Sequence, residues 1–98
     1  MKVFDLGKIS LRELNGALQA YKPDKQGELC EVLNPKGRHA IAVGLNAKFN
    51  VNIQGSTGYY CGGMNQEADI HVFGSVGPGV GENMMSGTIT VEGDASQY

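Results

Sequence analysis

Apolar residues recur along this chain in two rhythms. In "ISLRELNGALQAYKP", residues 9–23, Leu11, Leu14 and Leu18 fall at i, i+3 and i+7, which sets them on one face of a helix. Ser10 can cap the first turn, Glu13 three residues later completes a capping box, and Ile9 can pack on Leu14 as a hydrophobic staple. Pro23 biases Lys22 away from helical dihedrals, so the pattern predicts a helix over about residues 11–21. "LCEVL" at 29–33 predicts a short strand. "NPKG" at 34–37 has the residues of a type I turn, with Asn34 first, Pro35 second and Gly37 fourth. "HAIAVG" at 39–44 then predicts another short strand, ending at Gly44.

The second rhythm begins near residue 49, where glycine and β-branched residues take over. "VNIQGSTGYYCG", "IHVFGSVGPGVG" and "ITVEGDASQY" align at a period of 19: Val51, Ile70 and Ile89 match, as do Ile53, Val72 and Val91, and Gly55, Gly74 and Gly93. Gly58 matches Gly77, and Gly62 matches Gly81. Each unit offers a strand with two apolar residues on one face and a polar residue between them: Asn52, His71 or Thr90. Such a strand buries too little alone, but successive units coiled into a superhelix stack their strands in parallel, about 4.8 Å apart, with inward residues in continuous ladders. A glycine after each strand lets the chain turn a corner or lets neighbouring coils approach. The predicted architecture is mainly β, a right-handed parallel β-helix of about 19 residues per repeat preceded by a short N-terminal helix. Residues 1–36 form a lead-in and residues 37–98 form the coils, with Gly55, Gly58, Gly62, Gly74, Gly77, Gly81 and Gly93 as structural corners.

Composition narrows the partners. At 98 residues with no Trp and few aromatics, the chain is one small domain whose core must come from aliphatic residues. The net charge is −2 and the eight Lys and Arg are scattered rather than clustered, which argues against nucleic acid. No apolar run approaches the roughly 20 residues of a bilayer span, and the start "MKVFDLGKIS" lacks the features of a signal peptide, so a cytoplasmic location is expected. Cys30 and Cys61 lie far apart with no CxxC, and are expected to be free, buried thiols.

The run "NIQGSTGYYCGGMNQEADIHVFGSVGPGVGENMMSGTITVEGDASQY", with "NPKGRHAIAVGLNAKFN" before it, resembles the glycine-repeat (GXGXG) domain at the C-terminal end of the large subunit of glutamate synthase. It is also similar to the stand-alone small subunits of glutamate-synthase-like systems, such as that of N-methylglutamate synthase, whose lead-in "FDLGKISLRELNGAL" resembles. A subunit of formylmethanofuran dehydrogenase is a more distant likeness. The resemblance implies a β-helix that is not itself catalytic and that holds together a glutaminase-type amidotransferase chain and an FMN-dependent synthase chain. FMN and iron–sulfur clusters would then belong to those partners, and the chain would carry no cofactor. The resembling chains run on for several more coils, whereas this one stops at Tyr98 partway through its third unit. The strand at 88–91 is therefore expected to present an unpaired edge, so that these 98 residues are either a truncated piece of a longer β-helix, incomplete at the C-terminus, or complete their stack against another chain.

Rival chemistry is weak. "GPGVG" at 77–81 lacks the G-x-G-x-x-G spacing and the following helix of a dinucleotide site. Cys61 as a nucleophile would need His71 as its base, yet His71 falls on the outward side of its strand. His39 beside a turn reads as a hydrogen-bonded structural residue. Asp5, Glu67, Asp69, Glu82 and Asp94 show no spacing that fixes two carboxylates across a site. Tyr59 and Tyr60 interrupt a small-residue stretch, either packing over a coil edge or facing a partner. An independent small-molecule or metal-binding solenoid remains the alternative function.

Overall fold

A computed structural model describes residues 2–22 and 28–93. Its elements are β1 (Lys2–Asp5), α1 (Leu11–Ala20), β2 (Leu29–Leu33), β3 (Asn50–Gln54), β4 (Asp69–Val72) and β5 (Thr88–Val91). The strands form one sheet in sequence order, and every neighbouring pair is parallel. Parallel neighbours in sequence order require the chain to circle back to the same side after every strand. The result is a β-solenoid of about three turns with one short helix.

The 19-residue period is the register of the sheet. Val51 pairs with Ile70 and Ile70 with Ile89, while Ile53 pairs with Val72 and Val72 with Val91. These inward residues form two apolar ladders that are fully or almost fully buried over β2, β3 and β4: Cys30, Val51 and Ile70 in one, Val32, Ile53 and Val72 in the other. β2 extends the ladders with a 21-residue step (Cys30 to Val51), and β1 with a 28-residue step (Lys2 to Cys30) because α1 is inserted between them. The sheet thus runs unbroken from the lead-in segment into the glycine-rich coils.

Helix α1 follows its sequence signals. Ser10 Oγ accepts the Glu13 N–H at 3.1 Å, Leu14 and Leu18 are buried, and Tyr21 is the C-cap. Pro23, the expected stop, lies outside the described residues. The leucines pack into the same core as the strand ladders. On that face Asn15 acts as a substitute coil: its Oδ1 accepts the Ala42 N–H at 2.8 Å, and its Nδ2 donates to the Ala40 carbonyl at 2.7 Å.

Two local expectations are corrected. The turn near "NPKG" sits one residue later: Arg38 N–H donates to the Pro35 carbonyl at 3.0 Å, and its central residues Lys36 and Gly37 both have positive φ, the sense of a type I′ rather than a type I turn. "HAIAVG" is not a strand. Ala40, Ala42 and Gly44 alternate into the left-handed region, with φ of 56, 58 and 71°. The same alternation recurs at Tyr60, Gly62 and Met64, and again at Gly79, Gly81 and Asn83. These three segments stack as a second wall, joined by hydrogen bonds such as Ala40 N to Tyr59 O (2.7 Å), Gly62 N to Ile41 O (2.9 Å) and Gly81 N to Cys61 O (2.9 Å). The run of apolar residues imitates a strand in sequence because Ile41, Ala42 and Leu45 are buried in the core here too.

Candidate functional site

The glycines lie where coils press on one another. A Cβ on Gly74 would stand 2.5 Å from the carbonyl carbon of Gly55, and one on Gly93 would meet the Gly74 carbonyl, so these three form one corner column. Gly55 rests in turn on the buried ring of Pro35 and has φ 137°. Gly77 lies against the Gly58 backbone in the same manner, and Gly58 faces His39 and the Gly37 carbonyl. Gly62 and Gly81 have positive φ and face Ile89 from the opposite wall; a Cβ on Gly62 would be 2.6 Å from Ile89 Cδ1. None of these glycines opens a helix, the setting in which a glycine-rich loop holds phosphate.

The outer face of the sheet is polar. Asn50, Asp69 and Thr88 share one ladder position, and Asn52, His71 and Thr90 another. Together with Leu29 and Ile70 they line an open groove of about 540 Å³. Thr88 Oγ1 donates to Asp69 Oδ1 at 2.7 Å. The His71 ring stacks on Phe73 with centroids 4.2 Å apart, and its Nε2 lies 3.4 Å from Glu92 Oε1 without hydrogen-bond geometry. His39 is placed differently: it accepts the Tyr59 N–H at Nδ1 (2.8 Å) and stacks on the Tyr59 ring at 4.5 Å, joining two coils. Tyr59 is exposed, whereas the Tyr60 ring lies over Gly63.

The thiols are sealed from this face. Cys30 and Cys61 are free and fully buried. Burial pushes the Cys61 thiol up to about 11, with the Thr57 hydroxyl opposing it, and burial also raises Cys30. Cys61 therefore lies inside the coil while His71 lies outside it, and the structure does not bring the two together as nucleophile and base. Among the described residues no group of three or more His, Cys, Asp or Glu is placed to hold a metal ion, and no helix is long and apolar enough to cross a membrane. Asp5 is held below the usual carboxylate range by the Asn34 amide (2.8 Å) and then by the Gly7 N–H (2.8 Å), which ties β1 to the turn after β2. Glu67, Glu82 and Glu92 are exposed and Asp69 is half-buried; Asp94 lies outside the described residues.

Two features were missed in the sequence. Asn15 was legible as a polar residue on the leucine face of α1, at i+4 from Leu11 and i−3 from Leu18. Asn65 is fully buried and clamps a corner, with Nδ2 donating to Ala68 O (2.6 Å) and Oδ1 accepting Ala68 N–H (3.1 Å). One period on stands Met84, and Asn46, one period back, falls before the repeat begins near residue 49, so the repeat gave no signal for it. The state of the last coil agrees with the open edge expected of the strand at 88–91. Val80, Met84, Ile89 and Val91 stand at the positions of Cys61, Asn65, Ile70 and Val72 in the coil beneath, which are at most 1% exposed, yet Met84 is 40% exposed and the other three are half-buried.

Comparison with known proteins gives one informative match. No family model matches the chain, and no solved structure matches it. It is 50% identical over 91 residues to Protein GlxC of Rhizobium meliloti (strain 1021), an alignment covering 93% of this chain and 40% of that protein. Nearly the whole of this chain is thus similar to Protein GlxC, and it spans about two-fifths of that relative's length.

Proposed function

We propose that this chain is a scaffold subunit or domain of a glutamate-synthase-like assembly and is not catalytic by itself. In that assembly a glutaminase-type chain releases ammonia, an FMN- and iron–sulfur-containing chain performs the reductive step, and the solenoid holds the two in register in the cytoplasm. The observation that carries the reading is the sealed interior. Both thiols are fully buried, and the conspicuous glycines are packed against the backbone or side chains of neighbouring coils, where a ligand has no room. The residue pattern that resembles the glycine-repeat domain is the same pattern that forms the strand register.

The test is purification of the tagged chain from its native cells. The expected result is a complex that contains an amidotransferase chain and a synthase chain and shows flavin and iron–sulfur absorbance, while the chain purified alone turns over neither glutamine nor a flavin substrate. Recovery without partners, or glutamine turnover by the isolated chain that is lost in Cys61→Ala, would contradict the proposal. The outer groove favours a second reading, a small-molecule module, because its carboxylate, amides, hydroxyls and imidazole converge without a Lys or Arg. That reading requires a ligand that survives purification and is released by His71→Ala.

A further inference from the structure

The outer face of the sheet carries residues that strand formation does not favour. Asn and Asp are depleted in strands, because their short polar side chains bond nearby backbone in turns instead. Yet Asn50 and Asn52 of β3 stand beside Asp69 and His71 of β4, position for position, and all four are half-buried. Thr88 Oγ1 donates to Asp69 Oδ1 at 2.7 Å, which occupies one of that carboxylate's two oxygens. The Asn52 amide and the Thr90 hydroxyl bond to nothing among the described residues. Residue choices that oppose their own secondary structure without a compensating bond point to a use beyond folding.

The register lays these groups on a grid, about 4.8 Å apart between strands and about 6.7 Å apart between alternate residues of one strand. The groove they line, about 540 Å³, has the size of a small-ligand site. Asp69 and Thr88 also line a second hollow of about 390 Å³ with Lys48, Glu67 and Ser86, so the two form one depression across the coils. The His71 ring is held in one orientation by its stacking on Phe73 (4.2 Å) and by Glu92 at 3.4 Å from its Nε2. This depression lies on the flank of the stack. A further strand beside β5 would lengthen it rather than close it.

The donor and acceptor set selects the ligand. Amides and hydroxyls both donate and accept, and Asp69 accepts, so the groove suits groups that do both at once. An anion would meet the Asp69 carboxylate with no Lys or Arg in the main groove to offset it. A metal ion would find one carboxylate, half of it bonded to Thr88, and no group of three or more His, Cys, Asp or Glu among the described residues. Sugar hydroxyls meet every requirement. We propose that the outer groove is a carbohydrate site that takes a short neutral oligosaccharide, with Asp69, Asn52 and Thr90 bonding its hydroxyls and His71 bounding the site. This inference rests on the second reading above, in which the groove holds a small molecule, and is independent of the scaffold role.

The test is titration of the full chain, followed by NMR, with three neutral trisaccharides (maltotriose, cellotriose and xylotriose) and one acidic one, trigalacturonate. At up to about 10 mM, at least one neutral sugar is expected to give saturating shifts of the Asn52 side-chain amide, the His71 ring and the Thr90 amide, while the Tyr59 amide, outside the groove, stays unmoved. Trigalacturonate should bind at least about tenfold more weakly. Asp69→Asn should weaken the neutral sugar about fivefold and remove most of the discrimination against the acidic one. If that variant unfolds by circular dichroism, Thr90→Ala, on an exposed side chain, should weaken the neutral sugar several-fold instead. Trigalacturonate binding as tightly as the neutral sugars, or shifts that miss Asn52, His71 and Thr90, would overturn the proposal. No sugar binding, with some other molecule retained through purification and released by His71→Ala, would reject the carbohydrate and keep the groove as a ligand site. No sugar binding and no retained molecule would reject both.

Discussion

The coil ending in β4 and the coil ending in β5 share their inward strand residues and have opposite fates. Ile70 and Ile89 are the same residue at the same register position, and Val72 and Val91 repeat the identity two residues on. Ile70 is 1% exposed and Val72 is fully buried, whereas Ile89 and Val91 remain half-exposed. The sequence of a coil therefore does not decide its burial; the coils on either side of it do. Stability in this molecule is a property of adjacency, and substitutions should be severe in the middle of the stack and mild at its open end.

The largest contrast should come from the corner column. Gly74 has Gly55 beneath it and Gly93 above it, so Gly74→Val drives a branched side chain into backbone and should cost about 4 kcal/mol or more, enough to unfold much of a domain of this size. Urea denaturation would measure it; a midpoint close to that of the wild type would break the stacked-corner geometry. Next comes the ladder itself. Ile70→Ala should cost about 3 kcal/mol and Ile89→Ala about 1, because only the first leaves a closed cavity. Equal losses would remove the distinction between the coils.

The sealed thiol gives a pH-dependent version of the same contrast. Cys61 binds its proton more tightly folded than unfolded, so the stability it confers is fully present below about pH 9 and is lost as pH rises through about 11. A two-unit shift corresponds to about 2–3 kcal/mol. Denaturation midpoints at pH 8 and pH 11 should converge in Cys61→Ala relative to the wild type. Val80→Cys, which places a thiol at the same position of the open coil, should react with iodoacetamide much faster than Cys61. At the closed end, Asn15→Ala leaves the Ala42 N–H and Ala40 carbonyl without their side-chain partners and should cost about 2 kcal/mol. The smallest effect is expected at the outer face, where His71→Ala should change stability by no more than about 0.5 kcal/mol.

Much of this was legible in the sequence, for reasons that also explain the rest. Helix α1 could be read because Ser10, Glu13 and the leucine spacing are local signals within two turns. The strands β3, β4 and β5 could be read because a 19-residue repeat fixes their register without reference to anything else. β1 escaped because α1 stretches its step to 28 residues, and β2 was seen as a strand but not as a rung because its step is 21. The second wall was misread at residues 39–44, since left-handed Ala40 and Ala42 leave no glycine to mark them. The polar groove was legible only in part: the repeat puts Asn52, His71 and Thr90 in one polar column, but the groove also takes Leu29 from β2, whose 21-residue step falls outside the period.

Amide hydrogen exchange resolved by residue tests the dependence of each coil on its neighbours most directly. In β4, with strands on both sides, Ile70, His71 and Val72 should all exchange slowly. In β5 the protection should alternate, slow at Thr90 and Glu92, which face β4, and fast at Ile89 and Val91, which face away. Uniform protection along β5, or rapid exchange throughout β4, would contradict a solenoid that is closed in its middle coils and open at its last.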